Sequence, residues 1–462
     1  MSKPKIDVSA SATALTQTSK DTPETNSVAT RPLSRHVSRG LSAFLWPIAA
    51  VVVFHRTWVL PKDVSGTDDF TTVWSAINRF VSQVPVYSED YVTADPHYLY
   101  SPGATLLLAP IDLFGSLESG RIWFAVFQSA AIIAAIVLLL RWLGIARSGP
   151  IIPASIALLY LTEPVTNTLD FTNVNGSLFL ALVLFFIALT ERRNILAGLI
   201  IGIAITIKPV FLPMLFLPFM RRQFSTVLTS IGVVIAANVI AWPLMVQPRD
   251  YLDITIPYLG VVRDFANASL TGQLVWLGAH PTLILLWQIF FGIFVLVSVV
   301  LLLRWLERDE KFWIATTSGV LFTGAFFLSS LGQQYYSMTL LPMVLTVLRP
   351  LVLARDNEGN IGSTVMLNWG AGLGVVLCFF YANWWIDEDD LFFPWFTVAI
   401  GGIGWAVLIL SITAALIRMT IVDAVNGRSF ASGFSWLSGW KIADRKPNHE
   451  SDLKSEEAIQ NG

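Results

Sequence analysis

The stretch "AGLIIGIAITIKPVFLPMLFLPFMRR", Ala197 to Arg222, decides the fold class. Apart from Lys208 it carries no charge before its two final arginines, and an apolar run of this length suits a bilayer. The pair Lys208-Pro209 divides the run into two pieces, each shorter than the ~20 residues that cross the hydrocarbon core. Such a break at membrane depth is tolerated where the backbone lines a cavity inside the protein. We therefore expect a broken helical hairpin that carries a buried lysine.

The composition of the whole chain agrees with this interpretation. The 462 residues are 54% hydrophobic and 13% charged, and the mean hydropathy is +0.62, which indicates a polytopic membrane protein. Many Gly, Phe and Trp residues lie in the apolar runs, and this mixture favours packed helices with aromatic belts over a barrel of alternating strands. The predicted fold class is all-α.

Charge and cysteine content exclude several kinds of partner and site. A net charge of -2 gives no strong positive field that would attract nucleic acid, so we do not expect nucleic acid as a partner. The expected partners are the lipid bilayer and lipid-linked molecules. Cys378 is the only cysteine, which rules out an intramolecular disulfide and a thiolate metal cluster. Because the sequence has no Walker loop, dinucleotide fingerprint or Cys/His metal motif, we expect no cofactor and assign no residue to a metal, and the need for a divalent metal stays open.

Segment lengths predict about 12 transmembrane helices, within a range of about 10 to 13. The candidate spans are 41–60, 120–142, 150–163, 175–190, 195–207, 209–220, 225–247, 281–305, 313–331, 336–354, 365–386 and 393–419. The predicted domains are a disordered cytoplasmic tail at 1–40, a transmembrane domain at 41–420 and a cytoplasmic tail at 421–462.

The distribution of Lys and Arg predicts the topology. Basic connections are expected in the cytoplasm, together with both termini, and they lie at 141–147, 191–194, 221–223, 304–311, 349–355 and after Arg418. The alternate connections are poor in Lys and Arg and are expected to face outward. The longest of these, 61–119, has an amphipathic pattern at Phe70 to Val84 and the apolar piece "GATLLLAPIDLFG", which predict helices at the outer interface.

Unusual polar residues concentrate on the outward side. They are Asp68, Asp69, His97, Tyr98, Tyr100, Glu163, Asn167, Asn173, Asn175, Gln333, Tyr335 and Tyr336, and Lys208 would reach the same level from the broken hairpin. Because ionisable groups at membrane depth are expensive, several of them near one leaflet indicate a functional site.

The adjacent carboxylates Asp68 and Asp69 have two interpretations. Either could be a general base that removes a proton from an acceptor hydroxyl. Either could instead cap the helix that follows, since Asp suits a helix N-terminus. The two roles are compatible for the pair, with Asp69 as the base and Asp68 as the cap.

Lys208 needs an anion, because an unpaired ammonium among apolar residues is costly. Its partner is either a lipid phosphate or a structural carboxylate such as Glu163. His97 could bind phosphate or make an ordinary hydrogen bond, and its surroundings lack the spacing of a metal site.

Tyrosines and asparagines could form a sugar pocket. Tyr98, Tyr100, Tyr335 and Tyr336 could stack on sugar faces, although interfacial belts are also rich in Tyr. Amides have little reason to cluster at the ends of two membrane helices, so Asn167, Asn173 and Asn175 indicate a polar pocket, to which Glu163 and Gln333 would add hydrogen-bonding groups.

Four blocks of sequence carry a resemblance: "DDFTTVWSAI" with "DPHYLYSPGATLLLAPI", then "TEPVTNTLDFTNVNGSLFLALVLFF", "AGLIIGIAITIKPVFLPMLFLP" and "SLGQQYYSMTLLPMVLTV". Over roughly residues 41–420 the chain resembles the GT-C glycosyltransferases of family 87, which use polyprenyl-phosphate sugars. Within that family it is most similar to the actinobacterial enzymes that add alpha-(1→3) arabinofuranose branches to cell-wall arabinan.

This resemblance implies a GT-C fold and a periplasmic active site. The donor would be decaprenyl-phosphate arabinose, and the acceptor would be a 3-hydroxyl of alpha-(1→5) arabinan. The product would carry the alpha-(1→3) branches of arabinogalactan or lipoarabinomannan. The essential acid of the family falls on Asp69, with Asp68 as its rival, and Lys208, with His97 or Arg263, would stabilise the departing lipid phosphate.

Two other functions stay open. A mannosyltransferase of lipomannan or phosphatidylinositol mannoside synthesis would use polyprenyl-phosphate mannose and differ in the shape of its donor pocket. A transporter or flippase of lipid-linked sugars would distribute polar groups through the whole membrane depth, whereas here they gather toward one leaflet.

Overall fold

The computed structural model describes residues 35–62, 69–89, 91, 97–146, 149–349, 365–381 and 392–426. In these ranges the regular elements are α, 3-10 and π helices, without a strand, which confirms the predicted all-α class. The α helices are α1 (Arg35–Phe54), α2 (Asp69–Val81), α3 (Pro102–Leu108), α4 (Leu117–Trp142), α5 (Ile151–Leu159), α6 (Glu163–Asp170), α7 (Asn175–Thr190), α8 (Asn194–Ile207), α9 (Phe216–Met220), α10 (Phe224–Ala241), α11 (Ile256–Leu259), α12 (Leu270–Trp276), α13 (Pro281–Leu302), α14 (Glu310–Leu328), α15 (Leu341–Leu345), α16 (Trp369–Phe379) and α17 (Phe392–Val425).

Shorter elements of other types connect these helices. The 3-10 helices are Leu60–Lys62, Ala109–Phe114, Pro209–Leu215, Trp242–Leu244, Leu303–Trp305, Gln334–Leu340 and Thr346–Leu348, and the π helices are His55–Val59 and Tyr251–Thr255. Helix α1 starts inside the segment predicted as a tail, and α17 extends past the predicted end of the transmembrane domain. Most of both predicted tails lies outside the described residues.

Six helical segments of the described chain are long and apolar enough to cross a membrane. They are His36–Val59, Leu117–Trp142, Phe224–Leu244, Pro281–Trp305, Glu310–Leu328 and Trp395–Val425. Large apolar side chains are exposed along several of them, as at Leu228, Ile235 and Val239 of α10, and such a surface suits contact with lipid. The chain is therefore a multi-pass membrane protein.

Five further apolar helices are too short to cross as single straight segments. They are Pro102–Phe114, Asn175–Thr190, Asn194–Ile207, Pro209–Met220 and Trp369–Phe379. Helix length and composition thus identify six spans among the described residues, and the predicted number of about 12 is not reached on that basis.

Proline explains why several predicted spans are interrupted. The segment predicted at 336–354 is a 3-10 helix to Leu340 and then the one-turn helix α15, which has Pro342 in its first turn. The segment predicted at 209–220 has Pro209 and Pro213 in a 3-10 helix that precedes α9. Proline lacks the backbone N–H that would continue an α helix and clashes with the preceding turn.

The predicted break at Lys208-Pro209 is confirmed. Helix α8 ends at Ile207, Lys208 is extended with φ -132° and ψ 106°, and a 3-10 helix starts at Pro209. Helix α8 packs closely on α10 through two glycines, since a Cβ at Gly198 would lie 2.6 Å from Thr229 and one at Gly202 would lie 2.8 Å from Val233. Small residues at this spacing let two membrane helices approach closely.

The basic connections converge at one end of the helix bundle. The contacts there are Arg221 with Glu310, Arg349 Nη1 with Asp309 Oδ2 at 2.6 Å, Arg304 Nη2 with Asp423 Oδ2 at 2.7 Å, and Lys311 Nζ with the carbonyl oxygen of Trp142 at 2.6 Å. At this end α4, α7 and α13 finish and α14 begins. The described polar residues selected from the sequence, such as Asn175 and Lys208, lie at the other end, where α7 begins and α8 finishes.

Candidate active site

Asp69 is the first residue of α2, in the segment between α1 and α4. Its Oδ2 accepts a hydrogen bond of 3.3 Å from the hydroxyl of Tyr335, which belongs to the 3-10 helix Gln334–Leu340. The next residue, Phe70, is buried and packs its ring 5.3 Å from that of Phe124 in α4. The first turn of α2 is therefore anchored in the core while its carboxylate reaches a distant tyrosine.

Lys208 lies in the break that follows α8, and its side chain reaches the start of α7. Its Nζ donates a 2.7 Å hydrogen bond to Oδ1 of Asn175, the first residue of α7, and lies 4.9 Å from the ring centroid of Tyr336. Within the part of the chain that the structure describes, the ammonium thus contacts a neutral amide and an aromatic face and has no directly bound anion.

Asp69 and Lys208 interact electrostatically without forming an ion pair. Lys208 favours the charged form of Asp69, yet no ion pair with a nitrogen–oxygen distance of 4.0 Å or less joins these two described residues. Burial raises the pKa of the Asp69 carboxyl above its ordinary value of 3.8, and Lys208, the side chains of Asn173 and Tyr335, and Arg263 oppose this shift. The carboxylate and the ammonium can thus act on different parts of one ligand.

A pocket adjoins the ammonium of Lys208. Its empty volume, including the open side, is about 270 Å³. It is lined by Lys208, Asn175, Tyr335, Tyr336 and Thr339 together with the apolar residues Leu178, Val210, Phe211, Phe326 and Met338. A cationic group beside an apolar wall suits a ligand with an anionic head and a hydrocarbon chain.

Four buried polar side chains continue from this pocket along the start of α7 and along α6. Asn167 Nδ2 donates to Glu163 Oε1 at 2.9 Å, and Asn173 Oδ1 accepts from the backbone N–H of Asn175 at 3.0 Å. Three of these side chains keep one buried atom without a hydrogen-bond partner among the described residues, namely Glu163 Oε2, Asn167 Oδ1 and Asn175 Nδ2, whereas the side chain of Asn173 favours the charged form of Asp69 through a hydrogen bond. Buried polar atoms are rarely left unsatisfied, so two free acceptors and one free donor in one place fit a ligand rich in hydroxyl groups.

Comparison with known proteins identifies the family. The sequence matches glycosyltransferase family 87 over residues 98–330. The chain belongs to this family. It is therefore a glycosyltransferase.

Curated relatives of this family 87 protein from corynebacteria and mycobacteria are named alpha-(1→3)-arabinofuranosyltransferase. The Corynebacterium glutamicum protein is 46% identical over 307 residues, which cover 66% of this chain and 73% of the relative. The Mycolicibacterium smegmatis protein is 40% identical over 341 residues, covering 72% and 76%, and the Mycobacterium tuberculosis protein is 35% identical over 412 residues, covering 86% and 90%.

Other residues selected from the sequence lie around this family 87 site in different ways. Tyr100 and Arg263 are close enough to Asp69 to interact with its charge. Gln333 donates from Nε2 to the carbonyl oxygen of Ala266 at 2.8 Å, in the same loop as Arg263. Asp68 lies outside the described residues.

His97 and Tyr98 take part in an aromatic cluster of the segment between α2 and α3. The His97 ring lies 4.9 Å from that of Tyr91, and its Nδ1 lies 3.8 Å from Oε2 of Glu89. Tyr98 is fully buried, and its hydroxyl lies 2.8 Å from Oγ1 of Thr105. A sugar could reach Tyr98 only if the segment moved, so its predicted sugar contact stays a prediction, as does the phosphate contact of His97.

Two polar side chains of α4 contribute to the site region but are not among the residues predicted from the sequence. Arg121 is buried and donates from Nη2 to Thr71 Oγ1 at 2.8 Å, and Gln128 accepts from the backbone N–H of Ser177 at 2.7 Å. Their sequence signal is a charged and an amide residue within an otherwise apolar membrane helix, which marks them as unusual without revealing their partners. In this family 87 protein they link α4 to the helices that carry Asp69 and Asn175.

Proposed function

We propose that this chain transfers arabinofuranose from decaprenyl-phosphate arabinose to a 3-hydroxyl of alpha-(1→5) arabinan, so that arabinogalactan and lipoarabinomannan acquire alpha-(1→3) branches. The observation that carries the proposal is that the Asp69 carboxylate interacts electrostatically with Lys208, whose ammonium lines an apolar pocket. Membership of family 87 and the names of the relatives support the sugar and the linkage.

In the proposed reaction Asp69 is the general base. It removes the proton of the acceptor hydroxyl while that oxygen forms a bond to the anomeric carbon of the donor sugar. The bond from the anomeric carbon to the phosphate oxygen breaks, and the polyprenyl phosphate leaves with the bonding electrons. The hydrogen bond from Tyr335 holds one carboxylate oxygen in place.

Lys208 and Arg263 would stabilise the departing phosphate. The ammonium of Lys208 is held by Asn175 and faces the pocket, where an anion would replace a neutral partner. Positive groups placed where negative charge develops lower the barrier most effectively in a site that excludes water. The apolar wall formed by residues such as Phe211 and Phe326 would take the first isoprene units.

The unsatisfied atoms of α6 and α7 would form hydrogen bonds with the hydroxyl groups of the sugar. Glu163 Oε2 and Asn167 Oδ1 can accept hydrogen bonds, and Nδ2 of Asn175 can donate one. A site built in this way rejects analogues that lack a hydroxyl, because its own buried groups would then stay unpaired.

We also propose that the site faces the periplasm and that both termini are cytoplasmic. The basic connections gather at the end of the bundle opposite to Asp69 and Lys208, as the positive-inside rule requires of a periplasmic site. A GT-C fold with about 12 crossings would follow if the shorter apolar helices pair or tilt within the bilayer.

The test is a transfer assay with purified protein in lipid nanodiscs. Synthetic polyprenyl-phosphate arabinofuranose and polyprenyl-phosphate mannose are offered separately, each with a short alpha-(1→5) arabinan acceptor, and the product linkage is determined by NMR. Transfer of arabinose to the 3-hydroxyl alone is expected. Preference for mannose would establish the alternative donor, and movement of donor across the bilayer without a product would indicate a transporter.

A further inference from the structure

Helix α4 contacts the two helix starts that carry the site. Its residues Arg121 and Gln128 are seven positions apart, which places them two turns apart on one face of the helix, about 10 Å from each other. Both are buried. Each holds the first turn of a different helix, and neither belongs to the lining of the pocket.

Arg121 fixes the first turn of α2. Its guanidinium donates to Thr71 and lies 5.8 Å from the ring centroid of Phe70, the residue that follows Asp69. The neighbouring Gly120 brings the helices close together, because a Cβ at this position would lie 2.8 Å from the ring of Trp74. Three contacts with α4 therefore hold the start of α2: the hydrogen bond to Thr71, the guanidinium over the Phe70 ring and the close packing of Gly120 on Trp74.

Gln128 caps α7 from another helix. The residue before α7, Val174, has no side-chain oxygen that could accept from the free N–H groups of the first turn. Gln128 Oε1 supplies the acceptor, at 2.7 Å from the Ser177 nitrogen and 3.0 Å from its hydroxyl. The first turn of α7 presents Asn175, which holds Lys208.

We propose that α4 acts as a spacer between the two parts of the site. Its positioning residues Arg121 and Gln128 set the distance from the Asp69 carboxylate to the Lys208 ammonium, which Asn175 holds and which would bind the donor phosphate. The inference rests on the proposed function for the roles of these groups. A transferring enzyme needs this separation to be fixed, because a displacement of about 1 Å at the reacting atoms can cost about 100-fold in rate.

The kinetic test compares the two ends of the spacer. R121M removes the contacts that hold the first turn of α2, which carries Asp69. We therefore expect kcat to fall about 10-fold to 100-fold while the donor KM changes little. Q128L removes the cap of α7, whose first residue Asn175 holds Lys208. We therefore expect the donor KM to rise about 10-fold with a smaller change in kcat. T71V removes the oxygen that Arg121 contacts while the arginine stays, and it should reproduce part of the R121M effect.

Two matched variants of the same helix control for a general loss of stability. Ser129 is next to Gln128, shares a 2.8 Å hydrogen bond with the hydroxyl of Tyr160 in the connection after α5 and accepts one of 2.7 Å from Thr57 Oγ1, so S129A removes two bonds that do not reach the starts of α2 and α7. R141Q removes an exposed charge at the far end of α4. Both are expected to keep wild-type kcat and KM, and a kcat loss in S129A equal to that of R121M would overturn the inference.

A second measurement needs no donor. Hydrogen exchange in nanodiscs should show faster exchange in the first turn of α2 for R121M and at the start of α7, including Ser177, for Q128L, while S129A changes neither. Unchanged exchange at both helix starts would contradict the spacer. If the wild-type protein transferred no sugar from any donor offered, the proposed function would fail, and the exchange experiment alone would decide whether α4 holds the two helices.

Discussion

Tyr335 donates a hydrogen bond to Asp69 across 266 positions of the sequence, with 3.3 Å between the tyrosine oxygen and carboxylate Oδ2. The bond joins the first residue of α2 to the 3-10 helix that follows α14. Asn173 also favours the charged form of Asp69 through a side-chain hydrogen bond, so the base is oriented by residues far away in the chain.

Removal of this bond should alter the base without removing it. We expect Y335F to lower kcat about 3-fold to 10-fold, because a hydrogen bond to a charged group contributes about 1.5–3 kcal/mol and other partners of Asp69 remain. The pKa of Asp69 should rise, since the Tyr335 bond favours its charged form. The check is the pH profile of kcat, and a profile that does not shift would show that the bond has no part in the reaction.

The pH dependence of the wild-type enzyme follows from the environment of Asp69. Burial raises the pKa of this carboxyl above 3.8, and a base must be unprotonated to act. The rate should therefore decline, as the pH falls, at a pH above that expected of an exposed aspartate. Initial rates measured from pH 4 to pH 8 at saturating donor test this, and a constant rate over that range would contradict the assignment.

Replacement of Lys208 should affect both donor binding and turnover. K208M removes the cation that faces the pocket, so we expect the donor KM to rise at least 10-fold and kcat to fall about 100-fold. R193Q is the matched control, because it removes an exposed cation at the opposite end of the bundle. If K208M kept wild-type kinetics with the lipid donor, the phosphate site would have to lie elsewhere.

The ion pair of Arg304 and Asp423 should contribute to stability rather than to catalysis. It joins the end of α13 to α17 at 2.7 Å, and the Arg304 side chain is 1% exposed. R304M breaks this buried ion pair by removing one of its members, which typically costs about 3–5 kcal/mol. We expect a clearly lower unfolding temperature with an unchanged donor KM. The double variant R304M/D423N should recover part of the loss, and equal instability in both variants would contradict a role for the pair.

Some parts of this site were predictable from the sequence and others were not. The break at Lys208-Pro209 was, because proline and a charge inside an apolar run have direct local consequences. The polar cluster of Glu163, Asn167 and Asn173 was also visible, since such residues are rare between membrane helices. These signals depend on residue type and neighbouring residues alone.

Long-range pairings left no comparable signal. Nothing in the sequence of α4 shows that Arg121 faces Thr71 or that Gln128 caps α7, because both contacts depend on how the helices pack. The number of spans was also uncertain for a physical reason. Prolines such as Pro213 and Pro342 divide apolar runs of membrane length into short helices. Hydropathy alone therefore overestimates the number of continuous membrane-spanning helices.

The most direct test of the central claim is sugar transfer by D69N beside the wild-type protein, with polyprenyl-phosphate arabinofuranose and an alpha-(1→5) arabinan acceptor. Asparagine keeps the size of the side chain and the bond from Tyr335 but cannot take a proton. We predict that turnover falls about 100-fold to 10,000-fold while donor binding is retained. Full turnover by D69N would contradict the account, because the carboxylate would then not be the base.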